Sequence, residues 1–401
     1  MQHKVVVTGI GIISAIGFDT KGVMDSLQAQ RSGIGRLSLI DSVYKDEIPV
    51  AEIKATNDEL LQIADPGITG NYSRTSLLGI IAARQAIAAA RIDVSAPGRT
   101  GLISATTVGG MDRSEIFYRG YLSGSGKARL RDVVTHDCGD STEKIADCTG
   151  IRDYITTINT ACSSSANAIM VGARLIREGK LDRVVAGGTD ALTLFTLNGF
   201  NSLMILDRNP CRPFDEDRNG LNLGEGSGFL VLESEEFACR ENKNVLGVIK
   251  GYGNACDAYH QTASSPEGHG ACLSMLKALE VAGLAPDAIS YINAHGTGTK
   301  NNDLSEGVAL ETVFQAGIPH CSSTKSYTGH TLGAAGGIEA VLSIIALQHQ
   351  WIYPNLNFAR PMNELGFVPV TAFVTGIPVN CIMSNSFGFG GNNSTLIFSR
   401  Y

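Results

Sequence analysis

Three observations predict an α/β protein with mixed or parallel sheets. Strand-like, β-branched segments alternate with Ala- and Leu-rich helical segments along the chain. Several strand-like segments are continuous apolar runs, as expected for parallel strands that are buried on both faces. The opening VVVTGIG (5–11) is echoed by VIKGYGN (248–254), which indicates an internal duplication. We therefore predict two α/β halves, 1–243 and 244–401, which pack as one body because no Pro/Ser-rich linker separates them.

The elements follow in order from local composition. In the first half, the β-branched run at 4–8 predicts a strand, and Ala-, Leu- and Ile-rich segments predict helices. The strands predicted for this half are 4–8, 100–107, 154–158, 183–186 and 226–233, with helices at 76–90 and 163–178. The alternation then restarts, with predicted strands at 244–250, 289–293, 381–385 and 395–400 and helices at 268–282, 303–314 and 331–349. At Gly9 and Gly11 we predict a turn rather than a dinucleotide site, because Ser14 stands where the fingerprint needs a third glycine.

Composition and charge exclude several classes of protein. With 43% hydrophobic and 18% charged residues, the chain has a globular composition. Its net charge of −7 argues against nucleic acid as a partner, because phosphate binding needs a basic surface. No signal peptide or membrane segment is predicted, since the most apolar stretch, 338–347, is about half of a ~20-residue span; we expect a soluble, cytoplasmic protein. The nine cysteines include no CxxC pair, so we expect reduced thiols, mostly buried in the core, and no zinc ribbon.

The segment TACSSS (160–165) is the first candidate for chemistry. It follows the predicted strand 154–158 and precedes the predicted helix 163–178, which places Cys162 at a strand-to-helix junction. The unpaired amides and the dipole of a helix N-terminus favour a thiolate there. Taken alone, the segment fits a nucleophile and a buried cysteine at a helix start equally well.

Three more segments extend this candidate site. His295 lies in NAHGTGT (293–299), after a predicted strand, and His330 lies in KSYTGHTLGAAG (325–336), before a predicted helix. Cysteine with histidine partners is the pattern of covalent acyl chemistry. A metal site is less well supported, because the histidines lack a HxxxH spacing and an accompanying carboxylate cluster. The glycine-rich NSFGFGGNN (385–393) predicts either a tight loop whose amides form an oxyanion hole or a hairpin with phenylalanine anchors.

Together these four segments, in this order, resemble the β-ketoacyl-acyl-carrier-protein synthases of the elongating type, and the resemblance extends from VVVTGIG to the last strand. It implies a thiolase-like fold, which is a duplicated αβαβα arrangement of five layers with mixed sheets, usually as a homodimer. It also implies a Cys-His-His site, formed here by Cys162, His295 and His330. The implied reaction is the decarboxylative Claisen condensation, in fatty-acid elongation, of an acyl group held on Cys162 with malonyl-acyl carrier protein.

The resemblance implies roles for further residues. Lys325 would support the histidines electrostatically, and Glu339 would orient the network around Lys325. The amides of Cys162 and Phe389 would form the oxyanion hole, with the Phe389 side chain as a gate over the cysteine. Substrate contacts are expected from Thr297, Thr299, Phe200, Val108 and Phe387. No metal or redox cofactor is required, although some members of the family hold a structural monovalent cation near the positions of Asn293 and Glu339.

The chain departs from the family pattern at three places. Asn392 stands where the family usually has threonine, and we expect this change to retune function rather than abolish it. Arg74 is the only basic residue in the expected carrier-docking segment 71–80, and Met204 stands where many elongating enzymes have an arginine. Basic residues that could compensate are Lys127, Arg129 and Arg131. These departures leave open a discrete ketosynthase of a polyketide- or polyene-type pathway. A non-catalytic partner subunit is less well supported, because the cysteine and both histidines are present.

Overall fold

The computed structural model describes residues 3–67, 69–94, 96–124, 126 and 128–401, so Lys127 lies outside the described residues. The strands of the described residues are β1 (Val5–Ser14), β2 (Thr100–Ala105), β3 (Tyr154–Ile158), β4 (Arg183–Asp190), β5 (Gly226–Ser234), β6 (Gly247–Cys256), β7 (Tyr291–Asn293), β8 (His320–Ser322), β9 (Cys381–Phe387) and β10 (Asn392–Ser399). The helices are α1 (Thr20–Gln28), α2 (Asn57–Ala64), α3 (Arg74–Ala89), α4 (Met111–Leu122), α5 (Cys138–Thr149), α6 (Ser164–Arg177), α7 (Leu194–Ser202), α8 (Glu235–Arg240), α9 (His269–Ala282), α10 (Lys300–Val313), α11 (Lys325–Thr328) and α12 (Ala335–His349). Every predicted strand and helix is present, with ends that differ by up to six residues, as at the C-terminal ends of β1 and β6.

The strands form one mixed sheet in the order β3-β2-β4-β5-β1-β6-β10-β9-β7-β8. The first five strands and the last five have the same arrangement. In each set the first strand pairs antiparallel with the fifth, the fifth pairs antiparallel with the fourth, and the fourth, second and third are parallel. Two residue pairs, Val6–Val248 and Val7–Gly247, join the two sets. The repeated order agrees with an internal duplication, while the division of the chain after residue 243 stays a prediction.

Side chains along a strand alternate between the two faces of the sheet, so neighbouring residues pack against different helices. Leu102 of β2 packs in a cluster with α3, whereas the adjacent Ile103 packs with α6 and α12. In the second half, Met383 of β9 packs with α9 and α10, whereas Ile382 lies in the central cluster. Helices α6 and α12 therefore lie between the two halves of the sheet, which gives the five layers of the thiolase-like fold.

The turn predicted at Gly9 and Gly11 is wrong, because β1 continues through both residues. A Cβ at Gly9 would lie 2.3 Å from the Ala86 carbonyl oxygen of α3, and Gly11 faces the same helix even more closely. The glycines allow α3 to lie directly on the strand. Gly251 and Gly253 of β6 face α9 in the same way, so the repeated Gly-x-Gly is a helix-packing feature of both halves.

The most apolar stretch, 338–347, lies within helix α12. Within the described residues, one helical segment, Leu332–His349, is long and apolar enough to cross a membrane, and 89% of it is buried inside the protein, as is typical of a core helix.

The expectation that most cysteines lie in the core is wrong. Cys162, Cys211 and Cys321 are buried, whereas the other six are half-buried or exposed because they lie on outer helices or at strand ends.

Candidate active site

Cys162 lies in a sharp turn between β3 and α6, which we call the cysteine turn (160–164). Ala161 has a φ of 53°, a left-handed conformation that is unfavourable for a residue with a Cβ. The Ser164 hydroxyl holds this geometry, since it accepts from the Thr160 amide at 2.8 Å and donates to the Ala161 carbonyl oxygen at 2.5 Å. Cys162 itself is buried, and its sulfur contacts the second half of the chain.

The two histidines come from turns that follow β7 and β8. His295 follows β7, and Glu306 of α10 fixes its turn by accepting from the amides of His295 at 2.9 Å and Gly296 at 2.7 Å. His330 lies between α11 and α12, where its amide donates to the Asn222 carbonyl oxygen at 2.7 Å. Buried polar groups therefore fix the backbone on which each imidazole is carried.

The hydrogen bonds assign the same tautomer to both imidazoles. The Leu332 amide donates to His330 Nδ1 at 3.1 Å, so neutral His330 carries its proton on Nε2, which lies 3.1 Å from Cys162 Sγ. Lys325 Nζ lies 3.2 Å from His295 Nδ1, and an ammonium can only donate, so neutral His295 also carries its proton on Nε2. The ring centroids are 5.4 Å apart and the rings are nearly perpendicular. The site therefore holds two imidazole N–H donors.

Lys325 and Glu339 form a buried ion pair behind the histidines. Lys325 is the first residue of α11, and Glu339 lies in the second turn of α12. A buried charge is unfavourable unless it is paired and hydrogen-bonded, and Lys325 has both Glu339 and His295 as partners. The fold thus fixes a positive charge beside the ring of His295.

Burial keeps the reactive groups neutral. It is the largest effect on both histidines and lowers the pKa of His295 and of His330 well below the ordinary value, and the positive charge of Lys325 lowers both further. Burial also raises the pKa of Cys162 to about 11, although Lys325 and the Phe389 amide oppose this shift. Burial therefore opposes the thiolate that the helix N-terminus favours, and the raised pKa of Cys162 favours the protonated thiol in the resting site.

The glycine-rich segment forms a turn after β9, which we call the glycine turn (388–391), and this turn lies against the cysteine. The amides of Phe389 and of Cys162 itself lie near the cysteine sulfur, where they lower the pKa of the thiol against the larger effect of burial. Gly388 leaves little room for a side chain, because a Cβ there would lie 3.0 Å from the Thr160 carbonyl oxygen. The Phe389 ring stacks on Phe200 with the centroids 5.8 Å apart. The structure combines the two interpretations. Strands β9 and β10 pair as an antiparallel hairpin with Phe387 buried in an apolar cluster, and the turn between them brings the Phe389 amide near the cysteine.

These groups line a cavity of about 490 Å³. The residues of the predicted site that line it are Cys162, His295, His330, Phe200, Thr297, Thr299, Phe387 and Phe389. The hydroxyls of Thr297 and Thr299 are 2.9 Å apart in its wall. Val108 does not line this cavity; it is buried in an apolar cluster that also contains Leu192 and Phe200. A substrate contact by Val108 stays a prediction that this cavity does not support.

Asp190 does not line the cavity and was not among the predicted site residues, yet it joins three segments of the chain. Its buried carboxylate, at the end of β4, accepts from Thr106 Oγ1 at 2.5 Å, from the Val108 amide at 3.0 Å and from the Gly333 amide at 2.7 Å. The signal in the sequence is an acidic residue that ends a buried strand, in the segment GGTD (187–190). Such a residue needs several donors to be stable in the interior.

The surroundings of Glu339 fit a monovalent cation. The Ser386 hydroxyl lies next to the Glu339 carboxyl, both are buried, and neither Ser386 Oγ nor Glu339 Oε2 has a well-aligned hydrogen-bond partner. Unsatisfied buried oxygens are the ligands that a hard cation takes. In the part of the chain that the structure describes, no group of three or more His, Cys, Asp or Glu side chains is placed to hold a metal ion. A cation near Glu339 would therefore rely on hydroxyl, amide and carbonyl oxygens.

A buried thiol facing two imidazole donors, on a duplicated α/β fold of five layers, defines a condensing enzyme of the thiolase-like class. The chain belongs to the β-ketoacyl synthase family: residues 2–238 match the family's N-terminal domain, and residues 246–359 match its C-terminal domain.

Relatives match over the whole chain. The chain is 34% identical over 414 residues to 3-oxoacyl-[acyl-carrier-protein] synthase 2 of Staphylococcus aureus (strain COL), which covers all of the chain and 99% of the relative. It is 34% identical over 415 residues to 3-oxoacyl-[acyl-carrier-protein] synthase 2 of a Synechocystis species, with the same coverage. Among solved structures, the ishigamide ketosynthase/chain length factor has a TM-score of 0.92 at 30% identity, with both chains fully covered. A chain from the complex of a ketosynthase with its chain length factor, from Xenorhabdus doucetiae, has a TM-score of 0.83 at 31% identity, with 100% of this chain and 98% of that chain covered.

Proposed function

We propose that this chain catalyses the decarboxylative Claisen condensation of an acyl group, held as a thioester on Cys162, with malonyl-acyl carrier protein, to give a β-ketoacyl-acyl carrier protein in fatty-acid elongation. The observation that carries the proposal is the buried Cys162 thiol, which contacts His330 and shares one cavity with His295. The identity to two 3-oxoacyl-[acyl-carrier-protein] synthases supports the choice of carrier and pathway.

In the first half-reaction the Cys162 sulfur attacks the carbonyl carbon of an acyl thioester on the carrier. A new carbon–sulfur bond forms, the bond to the carrier sulfur breaks, and the carrier thiol leaves with the proton that Cys162 gives up. The amides of Phe389 and Cys162 stabilise the oxyanion of the tetrahedral intermediate. His330 donates to the sulfur in the tautomer found here, so it stabilises a developing thiolate rather than removing the proton.

In the second half-reaction a malonyl thioester takes the place of the departed carrier. The bond to its carboxylate breaks, carbon dioxide leaves, and the remaining enolate oxygen accepts hydrogen bonds from the Nε2–H groups of His295 and His330. The enolate carbon then attacks the acyl carbon on Cys162, and the thioester bond to Cys162 breaks. The released Cys162 thiolate takes a proton from water, which restores the resting thiol.

Lys325 and Glu339 act in this proposal by positioning the histidines. The Lys325 ammonium holds His295 in the tautomer that donates from Nε2, and Glu339 holds the ammonium in place. Lys325 also keeps both imidazoles neutral by lowering the pKa of each. A monovalent cation near Glu339 and Ser386 would satisfy two oxygens that lack partners, and no step above is routed through it.

A second candidate is the same chemistry in a discrete ketosynthase of a polyketide- or polyene-type pathway, with a different carrier or acyl chain. Arg74, the only basic residue of segment 71–80, is buried and bonds both oxygens of Glu225 at 2.8 and 2.6 Å, so it is not free to contact a carrier. Met204, which is 88% exposed, lines the outer part of the cavity. The similarity to ketosynthase/chain length factor structures supports this candidate as well.

We also propose that the chain forms a homodimer in the cytoplasm. Strand β3 lies at the edge of the sheet, with Tyr154 and Ile155 more than a third exposed. An open, partly apolar edge strand is prone to pair with another strand, and a second copy of this chain is the proposed occupant. The mass of the purified chain in solution tests this: a dimer is expected, and a monomer would favour a different partner chain. The absence of disulfides among the cysteines fits a reducing compartment.

The function is tested with the purified chain, malonyl-acyl carrier protein and carriers loaded with saturated or polyenoyl groups. Mass spectrometry of the carrier should show a β-ketoacyl chain that is two carbons longer. Extension of saturated chains supports fatty-acid elongation, and extension of polyenoyl chains alone supports the second candidate. Extension of neither, with Cys162 unacylated, would contradict both and favour a non-catalytic partner subunit.

A further inference from the structure

Asn392, the first residue of β10, connects the glycine turn to two other parts of the chain. Its side-chain oxygen accepts hydrogen bonds from Asn167 Nδ2 at 3.0 Å and from Asn254 Nδ2 at 2.9 Å. It also lies 2.7 Å from Ser163 Oγ, whose single hydrogen is shared between this oxygen and the Thr160 carbonyl oxygen at 2.8 Å. Ser163 follows the cysteine directly, Asn167 lies in the first turn of α6, and Asn254 lies in β6. One side chain therefore joins the glycine turn to the cysteine turn and to the second half of the sheet.

The neighbouring groups fix which way the Asn392 amide points. Asn167 donates to Thr160 Oγ1 at 2.8 Å and accepts from Ser394 Oγ at 2.7 Å, so its own amide orientation is set. Asn254 donates to Ser394 Oγ at 2.9 Å. With these donors around it, Asn392 must present its oxygen. A threonine hydroxyl, which lies one bond closer to the backbone, could not keep the same three distances.

The other hydrogen bonds of the glycine turn join it to itself and to its flanks, not to the cysteine turn. The Gly391 amide donates to the Gly388 carbonyl oxygen at 3.1 Å, and the Gly391 carbonyl oxygen accepts from the Asp257 amide at 2.9 Å and from Asn393 Nδ2 at 3.0 Å. Gly390 and Gly391 have φ values of 77° and 75°, and glycine restrains the backbone less than any other residue. The amide of Gly388 donates to the Asn392 carbonyl oxygen at 2.9 Å, and the amide of Gly390 donates to the Gln261 carbonyl oxygen at 2.7 Å. Asn392 is the residue of this segment whose side chain bonds the cysteine turn.

We propose that Asn392 is a positioning residue that fastens the glycine turn to the cysteine turn and thereby holds the Phe389 amide at the Cys162 sulfur. The predicted effect on acylation rests on the proposed function, whereas the fastening itself does not. When the hydrogen bonds of the Asn392 oxygen are removed, the glycine turn moves away from the sulfur. The oxyanion of acylation then loses one donor, and the sulfur becomes more accessible to small reagents.

The test compares Asn392→Leu, which removes the acceptor at similar volume, with Asn392→Thr, which keeps a smaller polar group. Asn380→Leu, at an exposed asparagine, is the matched control. Two rates are measured by mass spectrometry: acylation of Cys162 by an acyl carrier protein, and alkylation of Cys162 by iodoacetamide. For Asn392→Leu we expect acylation to slow about tenfold or more, as when an oxyanion-hole donor is lost, while alkylation becomes faster. Asn392→Thr should fall between the parent and Asn392→Leu, and the control should match the parent in both rates.

Opposite changes in the two rates separate fastening from general destabilisation. Cys321, buried in the outer cluster of the second half, is the internal standard and should stay unmodified in every variant. An unchanged alkylation rate in Asn392→Leu would overturn the proposal, and so would reaction of Cys321 together with Cys162. If the parent takes no acyl group from any carrier, the proposed function fails, and the alkylation comparison still decides whether Asn392 fastens the turn.

Discussion

The two halves of the sheet place different chemistry at equivalent positions. β3 and β8 are the third strands of their sets; the cysteine turn and α6 follow β3, whereas α11, His330 and α12 follow β8. The starts of α6 and α12 meet at the centre of the molecule, where a Cβ on Gly336 would lie only 2.9 Å from the Ala166 nitrogen. This close approach of two equivalent helices brings Cys162 Sγ within 3.1 Å of His330 Nε2.

The difference between the halves is electrostatic. In the first half, burial raises the pKa of Cys162 to about 11, and the thiol stays protonated. In the second half, burial and the Lys325 charge lower the pKa of His295 and of His330, and the imidazoles stay neutral. The duplicated fold brings the segments that follow β3 and β8 close together. Because the segment after β3 contains Cys162 and the segment after β8 contains His330, the first half provides the nucleophile and the second half provides hydrogen-bond donors.

The largest expected effect comes from removing the charge of the second half. Lys325→Met would leave Glu339 buried without its partner, and we expect the free energy of unfolding to fall by about 3–5 kcal/mol. The double variant Lys325→Met/Glu339→Gln should recover most of this stability but only part of the condensation rate. As the solution is made more acidic, the remaining activity of the double variant should be lost at a higher pH than that of the parent. The reason is that burial still lowers the pKa of His295 but Lys325 no longer lowers it further, so His295 is protonated sooner. Urea denaturation measures the stability, and a pH–rate profile measures the activity. If Lys325→Met alone were as stable as the parent, Lys325 and Glu339 would not form a buried ion pair that stabilises the fold.

The second prediction distinguishes the role of His295 in malonyl decarboxylation from the acylation of Cys162. We expect His295→Ala to slow malonyl decarboxylation about 10²- to 10³-fold, as when one oxyanion donor is lost. Acylation of Cys162 should persist, because the His295 ring contacts His330 rather than the sulfur. His320→Ala, at an exposed histidine of the same half, is the control and should change neither rate. An equal loss of acylation and decarboxylation would show that His295 also serves the first half of the reaction.

A third effect concerns the thiol of the first half. Since the pKa of Cys162 is raised to about 11, the thiolate fraction should grow about tenfold for each pH unit below that value. The rate of iodoacetamide alkylation at Cys162 should therefore rise about 100-fold from pH 7 to pH 9. A rate that levels off between pH 7 and pH 8 would mean that the helix N-terminus outweighs burial after all.

The smallest effect concerns the outer part of the cavity, where Met204 is exposed. Met204→Arg should lower the KM for an acidic carrier protein about two- to fivefold at low salt, because an added positive charge steers a negative partner. The gain should vanish at high salt, since exposed charges are screened. Met204→Gln is the uncharged control, and an unchanged KM for Met204→Arg would place carrier docking away from this residue.

Much of the fold could be predicted because the strands and central helices bury continuous apolar runs. Helix α4 was not predicted; none of its residues is buried, and apolar side chains such as Tyr118, Tyr121 and Leu122 stay exposed. Strand β8 has only three residues, which is too short for an alternating pattern. The start of helix α2 could have been predicted from the sequence, because Thr56 and Glu59 have the spacing of a capping box, which they form in the structure.

The identities of the site residues could be predicted, but their states could not. Motifs and spacing predict Cys162, His295 and His330, whereas their distances depend on how closely α6 and α12 approach. The tautomer of His330 depends on the Leu332 amide, and the protonation of the thiol depends on how little solvent reaches it. Asn392 was visible as a departure from the family pattern, but its three contacts involve α6 and β6, which only the fold brings together.

The most direct test of the mechanism is whether Cys162 takes up an acyl group. In this mechanism the first half of the chain provides Cys162 as the nucleophile, and the second half provides His295 and His330 as hydrogen-bond donors. The intact mass of the chain is recorded after mixing with acyl-carrier protein, beside Cys162→Ala under the same conditions. We expect the parent to gain the mass of one acyl group and the variant to gain none. An equal gain in the variant would contradict this mechanism, and so would a parent that takes up no acyl group from any carrier.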